Sequence, residues 1–233
     1  MKRFNVLVAL ATVLCAVPLS ADDDAPDRFI EVTGIGVVTQ SPDQAEVSFA
    51  VESQAETARQ ANRSNAERTR QLIKAIKSRG IDANDLRTSE YSVNPRYADR
   101  RRDDRDLKPI GYVVNNTVRV TVRKLEDVGG LIDAAVSSGA SRVNNIRFEL
   151  SSPEKARNRA LELAMAQTKL EADLILSQTP HKVGRVMTIR TRGGHSAPKI
   201  ERAVMSMARM DTPIEAGTLN TRAEVVVTYE ITD

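Results

Sequence analysis

Carboxylates are the residues of this 233-residue chain that offer the widest choice of chemistry, since a pair of them can serve as general acid and general base. Six lie in or beside the turns and alternating stretches of the N-terminal half: Asp43, Glu46, Glu52, Asp82, Asp85 and Glu90. Carboxylates in a polar alternation usually lie on the solvent side of a strand or cap a turn. We therefore predict no catalytic residue, and a hydrolase that uses paired carboxylates stays open as an alternative.

Other signatures of catalytic or cofactor sites are absent from the sequence, which contains no GxSxG elbow, P-loop, HExxH or EF-hand pattern. The stretch GIGVV (34–38) lacks the third glycine and the following helix of a dinucleotide-binding fingerprint. Two glycines in an edge strand are instead typical of a bulge. The two histidines, His181 and His195, lie in the turn-like contexts TPHK and GGHS, as exposed loop histidines do. We predict that the protein is not an enzyme and has no cofactor or metal site.

A group of methionines keeps one metal-binding alternative open. Met205, Met207 and Met210 lie within six positions, downstream of His195. Thioethers are soft ligands that suit Cu(I), an ion that an exported protein can meet. Methionine is also a common packing residue, which suits a segment that covers a core. Cu(I) binding by this segment is therefore an alternative to the leading prediction.

The N-terminus has the pattern of a secretory signal peptide. Lys2 and Arg3 precede an almost wholly apolar run, and PLSA then leads into DDDAP. We predict that residues 1–21 are the signal peptide, cleaved after Ala21, and that residues 22–28 form a mobile leader. The mature chain is then periplasmic or secreted. It also loses Cys15, the only cysteine, so disulfides and thiolate sites are excluded.

Composition and charge argue against a nucleic-acid ligand. Removal of residues 1–21 takes away two basic residues and no acidic one, so the net charge falls from +3 to +1. Aromatic residues make up 3% of the chain, which leaves few platforms for stacking bases. The run RRRDDRD (100–106) mixes both signs, and a solvated hairpin tip explains it better than an anion-binding surface does. We predict no nucleic-acid partner.

Alternating and helical periods predict the order ββαββαβαββ. Strands are predicted at 29–40, 45–54, 86–95, 110–123, 142–150, 182–190 and 220–231, and helices at 55–79, 124–139 and 151–178. Gly80 and Gly139 are expected to end the first two helices. The third helix is predicted to bury one stripe of residues: Ala156, Ala160, Leu163, Ala164, Leu170 and Leu174. The order predicts an α+β fold, in which a mixed or antiparallel sheet carries long amphipathic helices on one face.

Five stretches together resemble the SIMPL-domain (DUF541) family, in its periplasmic immunogenic protein type. They are VTGIGVVTQSPDQAEVSFAVES, GIDANDLRTSEYSVNPRY, GYVVNNTVRVTVRKLEDVGGLIDAAVSSGA, SPEKARNRALELAMAQTKLEADLIL and AEVVVTYEI. They follow one another in family order over nearly all of the mature chain. The resemblance implies one SIMPL-like domain over 29–233. Two sub-lobes that join near 110–124 are an alternative.

The resemblance also implies a location in the periplasm or at the cell envelope, a ring- or channel-like homo-oligomer, and a link to oxidative or envelope stress. It implies no catalytic residues. An association with the cell envelope or the outer membrane is an expectation of the same kind, and the ligand is left open. A binding module for a small envelope molecule is the remaining alternative, and it would require an apolar pocket with a few polar groups.

Overall fold

Strands and helices alternate along the chain much as their periods predict. The structure is a computed structural model that describes residues 28–98, 108–192, 199–201 and 214–233. The strands in these ranges are β1 (Phe29–Gln40), β2 (Gln44–Ala55), β3 (Leu86–Arg96), β4 (Gly111–Val122), β5 (Arg142–Glu149), β6 (Lys182–Arg192), β7 (Lys199–Glu201) and β8 (Thr218–Thr232). The helices are α1 (Ala58–Ser78), α2 (Val128–Ser137) and α3 (Pro153–Leu176).

The α+β fold and the predicted element order are confirmed, with the short strand β7 added before the last strand. All the pairings are antiparallel, and they build two sheets rather than one. Sheet A has the order β1-β8-β6, with β7 also paired to β8, and sheet B has the order β3-β4-β2-β5. The range 110–124 contains β4, an inner strand of sheet B. The division of the chain into domains stays a prediction.

Sheet B buries one face against α1 and α2. Alternate residues of β2 and β4 point to that side and are almost inaccessible: Ala45, Val47, Phe49, Val51, Val118, Val120 and Val122. They pack against Leu72 and Ile76 of α1 and against Leu131 of α2. The inward residues of the strands, at every second position, and those of the helices, at every third or fourth position, therefore pack together in one core. Val136, next to the buried Ala135, is exposed in the last turn of α2.

The predicted helix ends are confirmed at the glycines. Gly80 follows α1 with a φ of +83°, and Gly139 follows α2 with a φ of +122°. At the start of α1, the Thr57 hydroxyl accepts a hydrogen bond from the amide of Gln60 at 3.3 Å. The stretch after Gly80 returns the chain to sheet B, since β3 begins at Leu86.

In sheet A, α3 lies directly on β1, and the two glycines of β1 explain how it comes so close. The bulge predicted at Gly34 and Gly36 is absent, because β1 pairs with β8 without a register shift from Phe29 to Gln40. A Cβ atom on Gly36 would stand 1.9 Å from the carbonyl oxygen of Ala160, and one on Gly34 would stand 2.0 Å from that of Ala164. Because glycine has no side chain, the backbone of α3 can rest directly on β1 at these two positions.

The buried stripe of α3 agrees with the predicted one at Ala156, Ala160 and Ala164 and differs from it at the three leucines. It follows a four-residue spacing through Ala156, Ala160, Ala164, Thr168, Ala172 and Leu176. Leu170 and Leu174 are 70% and 65% exposed, and Leu163 is also exposed. The prediction followed size and hydrophobicity. A helix in backbone contact with a glycine strand instead accepts small side chains on that side, so Leu163, Leu170 and Leu174 turn outward.

A buried hydroxyl pair fixes the contact between α3 and β8. Thr168 Oγ1 lies 2.9 Å from the hydroxyl of Tyr229, and it donates to the carbonyl of Met165 at 2.8 Å. Thr168 therefore serves as the acceptor for Tyr229, whose side chain is buried.

Replacing Thr168 with valine keeps the shape but leaves the Tyr229 hydroxyl without its acceptor. We expect a loss of about 1–2 kcal/mol in the free energy of unfolding, measured by urea denaturation. The double variant Thr168→Val with Tyr229→Phe should recover part of this loss, because neither side then carries an unpaired polar group. Equal losses in the single and double variants would contradict the assignment.

Candidate assembly edge and polar cleft

The candidate carboxylates of β2 and its preceding turn have structural partners. Asp43 accepts hydrogen bonds from the amide and the hydroxyl of Ser151, at 2.6 and 2.7 Å, just before α3 begins. Glu46 lies in the sheet B face turned away from the helices and binds Arg87 at 2.8 Å and Arg119 at 3.4 Å. Both side chains are therefore placed to join elements of the fold.

Asp82 and Asp85 belong to the turn between α1 and β3. Asp82 accepts a hydrogen bond from the amide of Asn84, which starts a single turn of 3-10 helix. Asp85 holds the guanidinium of Arg123 with two hydrogen bonds, at 2.7 and 2.9 Å. That hydrogen bonding and the charge of Asp85 raise the pKa of Arg123, with a smaller contribution from Asp82. This cluster ties the turn to the end of β4.

The two remaining carboxylates lie on different strands. Glu52 accepts a hydrogen bond from the Gln54 side chain at 3.1 Å, at one end of β2. Glu90 is exposed on β3, where the neighbouring Tyr91 donates to Asn62 of α1 at 2.7 Å. Of the six acids, Asp82 and Asp85 lie in one turn, where hydrogen bonding to Asp85 and the charges of both raise the pKa of Arg123. The hydrolase alternative thus receives no support from their placement.

The Cu(I)-binding alternative depends on the methionine segment before the last strand and on the histidine upstream of it. Met205, Met207, Met210 and His195 lie outside the described residues. His181 is half-buried, with its Nδ1 atom 3.1 Å from a carboxylate oxygen of Asp233. In the part of the chain that the structure describes, no three His, Cys, Asp or Glu side chains cluster as metal ligands would. Cu(I) binding by the methionine segment stays a prediction.

Sheet A presents long strand edges. β1 and β6 flank β8 on opposite sides, and no other described strand pairs with their outer edges. α3 covers β1 and β8 but leaves much of β6 open. Val186 and Ile189 pair with Tyr229 and Val227, so they lie on the helix side of the sheet, and they are 45% and 54% exposed. An open edge with apolar side chains is a natural place for a further strand.

The direction of the backbone groups at these edges follows from one contact. The amide of Ile35 donates to the side chain of Gln167 on α3 at 2.7 Å, so the amide of Ile35 points away from β8. Ile35 lies opposite Glu224, whose backbone groups must then point toward β6. Arg192 is the partner of Glu224 on β6, so its backbone groups bond to β8. Successive residues of a strand point their backbone groups to opposite sides. Three positions before Arg192, the amide of Ile189 therefore points to the open side of β6.

The flank of α3 that reaches the β1 edge is partly apolar. Gln167 marks this flank, and helical spacing places Leu163, Glu171 and Ile175 on it. Leu163 and Ile175 are exposed. Each edge strand of sheet A, β1 on one side and β6 on the other, therefore lies beside accessible apolar side chains.

A second concave feature lies at one end of sheet B. It is a cleft of about 530 Å³, lined mainly by polar side chains from β2, α1 and the start of β5. Sequence reasoning indicated neither this cleft nor the open edges. A strand pattern does not reveal which strand is outermost, and the serines and arginines of the cleft belong to three separate segments.

The SIMPL family, described as "Protein of unknown function (DUF541)", matches residues 30–229. The chain belongs to the SIMPL family. The match spans both sheets and all three helices, as the family resemblance led us to expect.

Relatives of this SIMPL protein have been named in several bacteria. The 26 kDa periplasmic immunogenic protein of Brucella melitensis is 31% identical over 210 residues, which cover 87% of this chain and 84% of the relative. The uncharacterized protein YggE of Escherichia coli K12 is 26% identical over 192 residues, which cover 81% and 76%. YggE of Edwardsiella ictaluri is 24% identical over 179 residues, which cover 77% and 74%. These names indicate no enzyme family.

The names of some relatives state a location. The Brucella relatives are named as periplasmic proteins. Among the helices in the described part of the chain, none is both long and apolar enough to cross a membrane. The predicted signal peptide, residues 1–21, and most of the predicted leader lie outside the described residues, so both stay predictions.

Proposed function

We propose that this SIMPL protein is exported to the periplasm or cell envelope, where it assembles with copies of itself and protects against oxidative or envelope stress without catalysing a reaction. The observation that carries the assembly is the pair of open, partly apolar edges of sheet A. The N-terminal sequence pattern and the names of the Brucella relatives support export. The stress link comes from the family resemblance.

A second copy is the occupant that fits the β6 edge. When a copy is added in the same orientation, β6 of one molecule lies beside β1 of the next, at the edge opposite β6. Val186 and Ile189 of the first copy then lie on the same side as the exposed Leu163 and Ile175 on α3 of the second. Burying these side chains together contributes the apolar part of the contact.

Charge favours the same pairing. β6 carries four basic residues and no acidic one: Lys182, Arg185, Arg190 and Arg192. Arg185 and Arg192 already form ion pairs with Glu230 and Glu224 of β8. β1 carries a single charged residue, Glu31, and Glu171 lies on the flank of α3 beside it. Arg190 and Glu31 both lie on the sheet face away from α3, so a head-to-tail contact brings opposite charges to one face. Contacts between two different patches close into rings when the rotation permits.

Replacing Ile189 with proline tests the assembly at one backbone position. The amide of Ile189 points to the open edge, so proline removes a donor for an incoming strand while the hydrogen bonds to β8 stay in place. We expect light scattering on the mature protein to show an oligomer for the native chain and a shift toward monomer for Ile189→Pro. Cells that carry this variant should lose peroxide tolerance to the same extent as cells without the protein.

The matched control is Ile189→Val, which keeps both the amide and an apolar side chain and should assemble as the native chain does. Circular dichroism of Ile189→Pro should match that of the native protein, because no internal hydrogen bond is removed. A native chain that is strictly monomeric at micromolar concentration would disprove assembly. An oligomer that persists in Ile189→Pro would show that the contact between copies does not lie at the β6 edge.

A further inference from the structure

The outermost strands of the two sheets differ in how their edges are protected. A row of unpaired backbone groups invites another strand, so natural proteins interrupt such edges with bulges, prolines or charges. β3, at the edge of sheet B, has a register shift between Thr88 and Glu90 and also contains Pro95. β1 pairs with β8 in one unbroken register, contains no proline and carries a single charged residue, Glu31, among its 12 residues. The sequence of β1 itself therefore does little to protect its edge.

A side chain of α3 covers the middle of the β1 edge instead. The amide of Ile35 points away from β8 and donates to the side-chain oxygen of Gln167 at 2.7 Å. In an antiparallel strand every second residue directs its backbone groups to the same side, so Ile35 is one of a row of such residues along the edge. Gln167 therefore occupies the place where a carbonyl of an added strand would accept a hydrogen bond.

The glycines of β1 bring Gln167 to this place. Gly34 and Gly36 lie on either side of Ile35, and they are the positions where the backbone of α3 rests on the strand. Gln167 follows Ala164, one of the contacting residues, by less than one helical turn. The Gln167 side chain is exposed, so it can rotate away from the edge without opening a cavity. The contact is thus well positioned and also removable.

We propose that Gln167 guards the β1 edge, so that β6 of a second copy pairs with β1 only by displacing the Gln167 side chain. This inference rests on the assembly proposed above and concerns its control. A glutamine side chain ends in an amide with the same kind of acceptor oxygen as a backbone carbonyl, so it can replace one hydrogen bond of a missing strand. Displacement exchanges one neutral hydrogen bond for another. The guard therefore weakens assembly without preventing it.

The test compares self-association of the native mature chain and of Gln167→Ala by analytical ultracentrifugation. The variant loses a competing acceptor in the free chain and loses nothing in the assembled one. We expect its dissociation constant to fall about three- to tenfold, the worth of one neutral hydrogen bond. Hydrogen exchange gives a second measurement, made on chains that also carry Ile189→Pro and are kept dilute. The amide of Ile35 should exchange faster when Gln167 is replaced with alanine, because its acceptor is gone.

The matched control is Asn158→Ala, which also removes an exposed neutral amide from α3 and should change neither measurement. A native chain that associates with the same dissociation constant as Gln167→Ala would overturn the guard and leave the assembly standing. Strict monomers of both chains would overturn the guard and the assembly together. Equal tightening by Asn158→Ala, or an unchanged exchange rate at Ile35, would also overturn the guard, since the effect would then not come from the β1 edge.

Discussion

Replacing Gly36 with alanine adds a single methyl group and is nevertheless expected to destabilise the protein strongly. The new Cβ atom would stand 1.9 Å from the carbonyl oxygen of Ala160 and 2.7 Å from the amide nitrogen of Ala164. Both are backbone atoms of a helix, so no side chain can rotate away. α3 must lift from β1, and we expect a loss of about 3 kcal/mol or more in the free energy of unfolding.

The measurement is thermal or urea unfolding of the mature protein, and Gly130→Ala is the matched control. Gly130 lies in α2, where an added Cβ would meet only the end of the flexible Arg79 side chain, at 3.2 Å. Alanine also has the higher helix propensity, so Gly130→Ala should be neutral or stabilising by up to about 1 kcal/mol. If Gly36→Ala unfolds at the same denaturant concentration as the native chain, the close contact between α3 and β1 is wrong.

Replacing Asn65 with alanine is the second change with a large expected effect. Asn65 is fully buried on α1, and its amide donates to the backbone carbonyls of Val51 at 2.8 Å and Val114 at 3.2 Å. Its side-chain oxygen accepts from Thr69, which in turn accepts from Asn116 of β4. Asn65 therefore connects α1 to both central strands of sheet B.

Asn65→Ala removes these hydrogen bonds and leaves a small cavity, so we expect a loss of about 2–4 kcal/mol in the free energy of unfolding. The control is Asn62→Ala on the same helix, where the asparagine is exposed and accepts one hydrogen bond from Tyr91. That control should cost about 0.5 kcal/mol. Urea unfolding of the two variants measures the difference, and similar losses at both positions would contradict the connecting role of Asn65.

Periodicity revealed the elements of this fold but not which hydrophobic residues each helix buries. In α1 the buried residues Ala61, Asn65, Leu72 and Ile76 follow the three- and four-residue steps of an amphipathic helix. In α3 the leucines are the largest apolar residues of the predicted stripe, yet Leu170 and Leu174 are exposed. The difference is the strand beneath the helix, since the glycines of β1 accept a backbone at a distance that only small side chains allow.

For the candidate sites too, the sequence indicated the types of residue but not which residues are neighbours in the fold. The six acids were chosen for chemical type, and the structure gives most of them a local structural partner, such as Arg123 for Asp85 and Ser151 for Asp43. The open edge of β6 and the polar cleft at one end of sheet B depend on which strands are neighbours and where β5 stops. A residue pattern within one strand does not contain that information.

The sequence by itself determined the α+β class, the order of strands and helices, the glycine helix ends and the family, because these depend on local periods, on φ preferences and on the linear order of residues. Only the tertiary structure decided that the strands divide into two sheets, that Leu163, Leu170 and Leu174 of α3 are exposed, and that no described strand pairs with the outer edge of β6. These features depend on pairing and close packing between segments far apart in the chain, which hydrophobicity along one segment cannot specify.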